Sequence, residues 1–155
     1  MYAPALDTES TPPMEEALRL AEVAGRLGNV PVGAVAIHEG RIIGRASNLR
    51  ETLQDPTAHA EILVLREAAR VLGTWRLDEV TLVVTLEPCA MCAGAIAHSR
   101  VGRLVYGTPE PRSGTVHSKV RLLDDRDIEV EGGVLGGRCA SMMTEFFETL
   151  RLKEA

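Results

Sequence analysis

Two short segments constrain this chain more than anything else in it. They are His59-Ala60-Glu61 and Pro88-Cys89-Ala90-Met91-Cys92, whose first cysteine lies thirty positions on from the histidine. One imidazole and two thiols offer three protein ligands to a zinc ion and leave one position open. That count suits a catalytic centre, whose fourth position holds water or substrate, whereas structural zinc is usually closed by four protein ligands. If His59, Cys89 and Cys92 share one ion, the fold must bring the two segments together. Glu61 then stands beside the site with a carboxyl group able to move protons on and off a bound water.

Taken singly, these residues say less. A CxxC also fits redox or structural-zinc roles, and a lone histidine is more often a core or surface residue. The competing reading of the whole set is a structural zinc module closed by a fourth ligand, with Cys139 the candidate. Cys139 is otherwise most simply a small buried hydrophobe. His38, His98 and His117 have no motif around them and read as structural or surface residues.

Three cysteines cannot all pair within one chain, and two of them stand in the CxxC. This usage points to a reducing compartment and metal ligation rather than a disulfide framework, so the expected address is cytoplasmic. The first thirteen residues lack the charged and apolar regions of a secretory signal, and Thr8 to Pro13 read as a disordered lead-in. No apolar run approaches the ~20 residues that span a bilayer. The 155 residues fit one domain, expected over 14–155, and are too few for two well-buried cores.

A net charge of −5 argues mildly against a nucleic-acid protein. The distribution is uneven, however. Arg100, Arg103, Arg112, Lys119 and Arg121 face only Glu110 between Arg100 and Leu123. This basic cluster reads either as a solvated surface loop or as a patch that could neutralise phosphates.

Apolar periodicity predicts a helix over Met14 to Leu27 and a hairpin of Val32–His38 with Ile42–Ala46 around Glu39-Gly40-Arg41. A second helix follows over His59 to Leu72, closed by Gly73. Val80 to Leu86 is nearly continuous in apolar and β-branched residues, which suits a central strand buried on both faces. A small-residue helix from Pro88 to about Ser99 comes next, then a strand over Arg103 to Gly107. A charged connection over Pro109 to Asp127 leads to a short strand, Ile128 to Val130, and a last helix from about Ala140 to Leu152. This order implies an α/β layer fold with a mixed sheet covered by helices.

Both ligand segments thus fall at helix starts. Cys89 and Cys92 are three apart and share a helical face, and the positive end of the helix dipole favours the thiolates that bind metal. His59 and Glu61 are two apart and cannot share a face in that way, which suits different tasks for the two side chains.

The pattern His-x-Glu with Pro-Cys-x-x-Cys is the signature of zinc base deaminases. Beyond it, the chain resembles bacterial tRNA-specific adenosine deaminases of the cytidine deaminase-like fold. The matching strings are Val30-Pro31-Val32-Gly33-Ala34-Val35, Asp55-Pro56-Thr57-Ala58-His59-Ala60-Glu61-Ile62 and Thr85-Leu86-Glu87-Pro88-Cys89-Ala90-Met91-Cys92-Ala93-Gly94-Ala95, extended by His98-Ser99-Arg100 and Phe146-Phe147. The resemblance implies a three-layer α/β/α fold with a five-stranded mixed sheet, one Zn²⁺ per chain and a homodimer, the last in keeping with the small-residue helix around Met91. It implies that Asn48 bonds a flipped base, that the backbone around Ala60 contacts the base edge, and that Val30 belongs to the pocket.

The implied reaction is conversion of adenosine to inosine in a tRNA anticodon loop, at the wobble position. Arg100, Arg103, Arg112, Lys119, Arg121 and Phe147 are then candidate RNA contacts. Two stretches depart from the family. Leu122 to Asp127 is shorter and acidic, and the last helix carries Glu148 where the family is commonly basic. Those departures and the acidic pI favour the second reading, a deaminase of a free base or nucleoside of guanine or cytosine type.

Overall fold

The structure, a computed structural model, describes residues 10–155. Helix α1, Thr11–Arg26, carries Pro12 and Pro13 in its first turn, where their missing N–H groups have no intrahelical partner to lose. The disordered lead-in expected up to Pro13 does not hold for its last residues. Thr11 to Pro13 are helical, and residues 1–9 lie outside the described residues.

Strands β1, Gly33–His38, and β2, Arg41–Ser47, form the expected antiparallel hairpin. Glu39 and Gly40 both take positive φ, 51° and 74°, as a tight two-residue hairpin turn requires. A four-residue helix α2, Arg50–Leu53, was not visible in the sequence, because one turn carries no periodic stripe. Helix α3, Ala60–Leu72, ends at Gly73 with φ 69°, the left-handed position that glycine fills without strain.

Strand β3, Val80–Leu86, helix α4, Ala90–His98, and strand β4, Arg103–Thr108, then make a parallel β-α-β unit. Strand β5, Glu129–Gly132, starts one residue later than the sequence reading had it. Helix α5, Gly136–Glu154, starts four residues earlier. Gly136 and Gly137 are poor helix formers and read as punctuation, but burial of Cys139 against the sheet holds the first turn of α5 in place.

The five strands lie in the order β2-β1-β3-β4-β5, antiparallel on the β2-β1-β3 side and parallel from β3 to β5. Alternate residues face opposite ways. Ala34, Ala36, Leu82, Val84, Leu104 and Tyr106 pack under α3 and α4, against Val64, Ala68 and Ile96. Val35, Val83 and Val105 pack on the other face against Met14, Ala17 and Leu18 of α1 and Cys139 of α5. The result is the expected three-layer α/β/α arrangement around a mixed sheet. No helix of the described residues is long and apolar enough to cross a membrane.

The register fixes where the site must lie. Gly33 pairs with Ser47, Ala34 with Val84, and Leu86 with Thr108. One end of the sheet therefore collects the start of β1, the end of β2 and the ends of β3 and β4. Open α/β sheets bind ligands at such carboxyl ends of parallel strands.

Candidate active site

At that end, the chain leaves β3 through Glu87 and Pro88 and enters α4 at Cys89. Cys89 is the N-cap of α4 and Cys92 lies on its first turn. His59 is the N-cap of α3, in extended conformation at φ −72° and ψ 149°. Being outside the helix, its side chain is free of the helical periodicity that separates it from Glu61, and both side chains line one pocket.

The Nδ1 atom of His59 stands 3.7 Å from the sulfur of Cys89 and 3.5 Å from that of Cys92. A tetrahedral ion bonded at about 2.3 Å to sulfur and about 2.0 Å to nitrogen holds those atoms about 3.5 Å apart. The three side chains can therefore hold a metal ion with little movement. Cys139 belongs to the opposite face of the sheet, packed with Val83 and Val105, so it does not close the group as a fourth ligand and the structural-module reading loses its candidate.

The electrostatics follow from one shared proton. Cys92 donates to Cys89, which holds the Cys89 thiol down at about 3; burial opposes this and His59 adds to it. The same bond, burial and the charge of Glu61 push the Cys92 thiol up. The bond to Cys89 raises the His59 imidazole against burial. Glu61 is 4% exposed, and burial pushes its carboxyl up, with His59 opposing. Burial thus favours the protonated carboxyl more than it would for an exposed one, the direction expected of a group that holds and passes on a proton.

The pocket has a volume of about 190 Å³. That is smaller than the roughly 300–1,000 Å³ clefts of drug-sized ligands, so it admits one ring system and leaves the rest of a larger substrate outside. Val30, Val32 and Asn48 form one wall, and Ala60 and Glu61 the floor beside the ligand group. The Asn48 amide donates to the Val30 carbonyl at 3.0 Å, and its oxygen accepts the Arg50 N–H at 3.1 Å. One N–H and one lone pair of that carboxamide are left for a ligand. Phe147 and Met143 of α5 reach the mouth.

The sequence reading missed Arg50, Glu87, Glu110, Ser113 and Met143, which also line the pocket. Glu87 carried a signal, since an acidic residue directly before Pro-Cys at a strand end is hard to bury without partners. Arg50 lies in the unforeseen α2, and Met143 on a helix face that only tertiary packing selects.

The basic cluster is divided by the fold. Arg103 opens β4 and Arg100 follows α4, so both lie at the end of the sheet away from the pocket. Arg103 pairs with Glu131 at 2.6 Å, and Arg100 shares a separate cleft with Arg76 and Asp78. Arg121 pairs with Asp124 at 2.6 Å. The expectation of one patch beside the site is corrected accordingly. Arg112 adjoins pocket-lining Ser113, and with Arg50 supplies cations near the mouth, while Lys119 is exposed on the same connection. His117 is not a bare surface residue; its Nδ1 and the Tyr106 hydroxyl hydrogen-bond at 2.6 Å.

Residues 9–151 match the MafB19-like deaminase family. The tRNA-specific adenosine deaminase of Bacillus subtilis is 48% identical over 145 residues, covering 91% of this chain and 90% of its own. That of Haemophilus influenzae is 46% identical over 143 residues, covering 89% and 83%. A structure solved in a study of A-to-I editing by tRNA:A34 deaminases at the wobble position superposes with a TM-score of 0.82 at 43% identity, over 85% of this chain and 99% of that one. The guanine deaminase of Bacillus subtilis matches with a TM-score of 0.61 at 31% identity, over 70% and 80%. Matched by that family over most of its length and 46–48% identical to these two relatives, the chain belongs to the family of the tRNA-specific adenosine deaminases, among the MafB19-like deaminases.

Proposed function

We propose that this chain is a zinc-dependent hydrolytic deaminase that converts adenosine to inosine at the wobble position of a tRNA anticodon loop. The observation that carries the chemistry is the buried Glu61 carboxyl beside His59, Cys89 and Cys92, at the floor of a pocket that fits one ring system. The relatives' substrate supports the choice of adenosine in tRNA.

His59 Nδ1 and the sulfurs of Cys89 and Cys92 would hold one Zn²⁺ per chain, the donor set that thiolate- and imidazole-binding zinc takes. Zinc there supplies Lewis-acid chemistry, bringing the pKa of a water toward ~7. Glu61 accepts one proton of the attacking water and gives it to the ring nitrogen next to the amino-bearing carbon, then takes the remaining proton from the added hydroxyl and passes it to the departing amine. The carbon–nitrogen bond breaks, a carbon–oxygen bond replaces it, and ammonia leaves. The spare N–H and lone pair of Asn48 hold the base edge, helped by the backbone at Ala60, with Val30 against the ring. An unpaired loop base enters such a pocket without melting a duplex. Phe147 at the mouth offers a stacking face, and Arg50, Arg112 and Lys119 offer cations to the flanking phosphates.

We take residues 14–155, with the turn that precedes Met14, as one deaminase domain working in the cytoplasm, where free Cys89, Cys92 and Cys139 stay reduced. Two copies would pair through the outer side of α3 and α4. Trp75 is 61% exposed and Met91 36% exposed there, beside a groove lined by Ile62, Leu65 and Ala95. Sedimentation at micromolar concentration tests this, and a lone monomer refutes it.

The substrate is tested by incubating the protein with bulk tRNA and, separately, with free bases and nucleosides, reading inosine and released ammonia. Inosine in tRNA is expected. Turnover of guanine or cytosine with none in tRNA would establish the second reading, which the likeness to guanine deaminase favours.

A further inference from the structure

Glu87 moves no proton in this chemistry, yet it is 2% exposed and accepts five hydrogen bonds. Its Oε2 takes the backbone N–H groups of Val116, His117 and Ser118 at 3.1, 2.9 and 3.0 Å. Its Oε1 takes the N–H of Glu110 at 3.1 Å and the hydroxyl of Ser118. Three successive amides turned onto one oxygen form an anion-binding concavity, and here the protein fills it with its own side chain.

All five donors belong to one stretch, residues 110–118, which follows β4. The same stretch grips the next residue, since Thr115 donates its N–H and its hydroxyl to the Pro88 carbonyl at 3.0 and 3.2 Å. A Cβ at Gly114 would lie 2.5 Å from the Glu87 carboxyl, so only glycine lets the backbone wrap this closely. Val116, 1% exposed, anchors the middle of the stretch in the core. Glu110 and Ser113, at its near end, line the pocket. A continuous set of bonds thus runs from the pocket wall through Glu87 to the residue before Cys89.

We propose that Glu87 is a positioning residue for substrate: it folds the 110–118 stretch into the wall of the pocket and sets Glu110 and Ser113 where the nucleotide bearing the reacting base must pass. The assignment of that nucleotide to an RNA loop rests on the function proposed above. The binding of Glu87 to the stretch does not.

The test is Glu87→Gln, which keeps the size of the side chain and turns one acceptor into a donor facing donors. The KM for an anticodon stem-loop RNA should rise about tenfold or more, the effect of losing a hydrogen bond to a charged group. The kcat should change far less, and bound zinc should stay at one per chain. In hydrogen exchange, the amides of 114–118 should lose protection while those of β3 keep theirs. Ser118→Ala removes one bond only and should move KM and exchange the same way by less; it decides the matter if the glutamine variant does not fold. A variant that loses zinc or kcat with KM unchanged, or that leaves exchange at 114–118 unaltered, overturns the proposal. If the wild-type chain turns over no RNA, the proposed function fails, and the exchange experiment still reads Glu87 by itself.

Discussion

The Nδ1 of His59 lies 3.5 Å from the sulfur of Cys92, across thirty-three residues of chain. Neither residue belongs to a strand. Two helix starts, one after β2 and one after β3, are delivered to the same end of the sheet by the pairing of β1 with both strands. The ligand group is therefore a product of sheet topology, and the metal should in turn brace that topology.

Chelation should accordingly lower the melting temperature, since an ion bound only by the folded chain adds its binding free energy to stability. His59→Ala, Cys89→Ala and Cys92→Ala should each lose the metal and the activity together. Calorimetry with and without chelator, paired with metal analysis, checks this. An unchanged transition would mean that these residues hold no ion.

Glu61→Gln should keep the metal, because the carboxylate is not one of the three grouped ligands. Its kcat should fall by about 10²- to 10⁴-fold, the range for loss of a positioned acid–base group. Ammonia release and metal content, measured on the same sample, separate the two effects. Near-normal turnover would remove Glu61 from the mechanism.

Acid should weaken the fold through Glu87. Burial pushes this carboxyl up, but the Ser118 hydroxyl and the N–H groups of His117, Ser118 and Glu110 prevail and hold it at about 2, against an ordinary 4.5. A carboxyl whose folded value is depressed stabilises the fold above its unfolded value and loses that contribution as pH falls through the folded one. The contribution is about 3 kcal/mol at neutral pH, and it disappears between about pH 4.5 and pH 2. In denaturant titrations the gap between wild type and Glu87→Gln should close over that window. A gap constant down to pH 2 would contradict the assignment.

How far the sequence carries is visible residue by residue. His59, Glu61, Cys89 and Cys92 were legible because ligand chemistry is local in type and spacing, and Val80–Leu86 because burial on both faces leaves a nearly continuous run of apolar and β-branched residues. The start of α5 was not, since Gly136 and Gly137 oppose a helix locally and only packing of Cys139 on the sheet overrides them. Arg50 and Met143 were missed for a related reason: nothing in a one-turn helix or on a long amphipathic helix says which side chain will face a pocket made by other elements. The basic cluster failed differently. Charges close in sequence were assigned one surface, while α4 and β4 carry them to opposite ends of the sheet.

That division supplies a last prediction. If RNA phosphates lie at the pocket mouth, cations there should set the salt dependence of binding, and Arg103 should not. Arg112→Ala should weaken RNA binding and reduce the slope of log K against log salt by about 0.7 to 1, the value of one phosphate contact on a single strand. Arg103→Ala should leave the slope as it is and act on stability instead, because it abandons Glu131, 33% exposed and 2.6 Å away. Filter binding across a salt series, with thermal melts on the same variants, distinguishes the two. A slope that falls for Arg103→Ala and not for Arg112→Ala would move the RNA to the far end of the sheet, away from the pocket into which the base must enter.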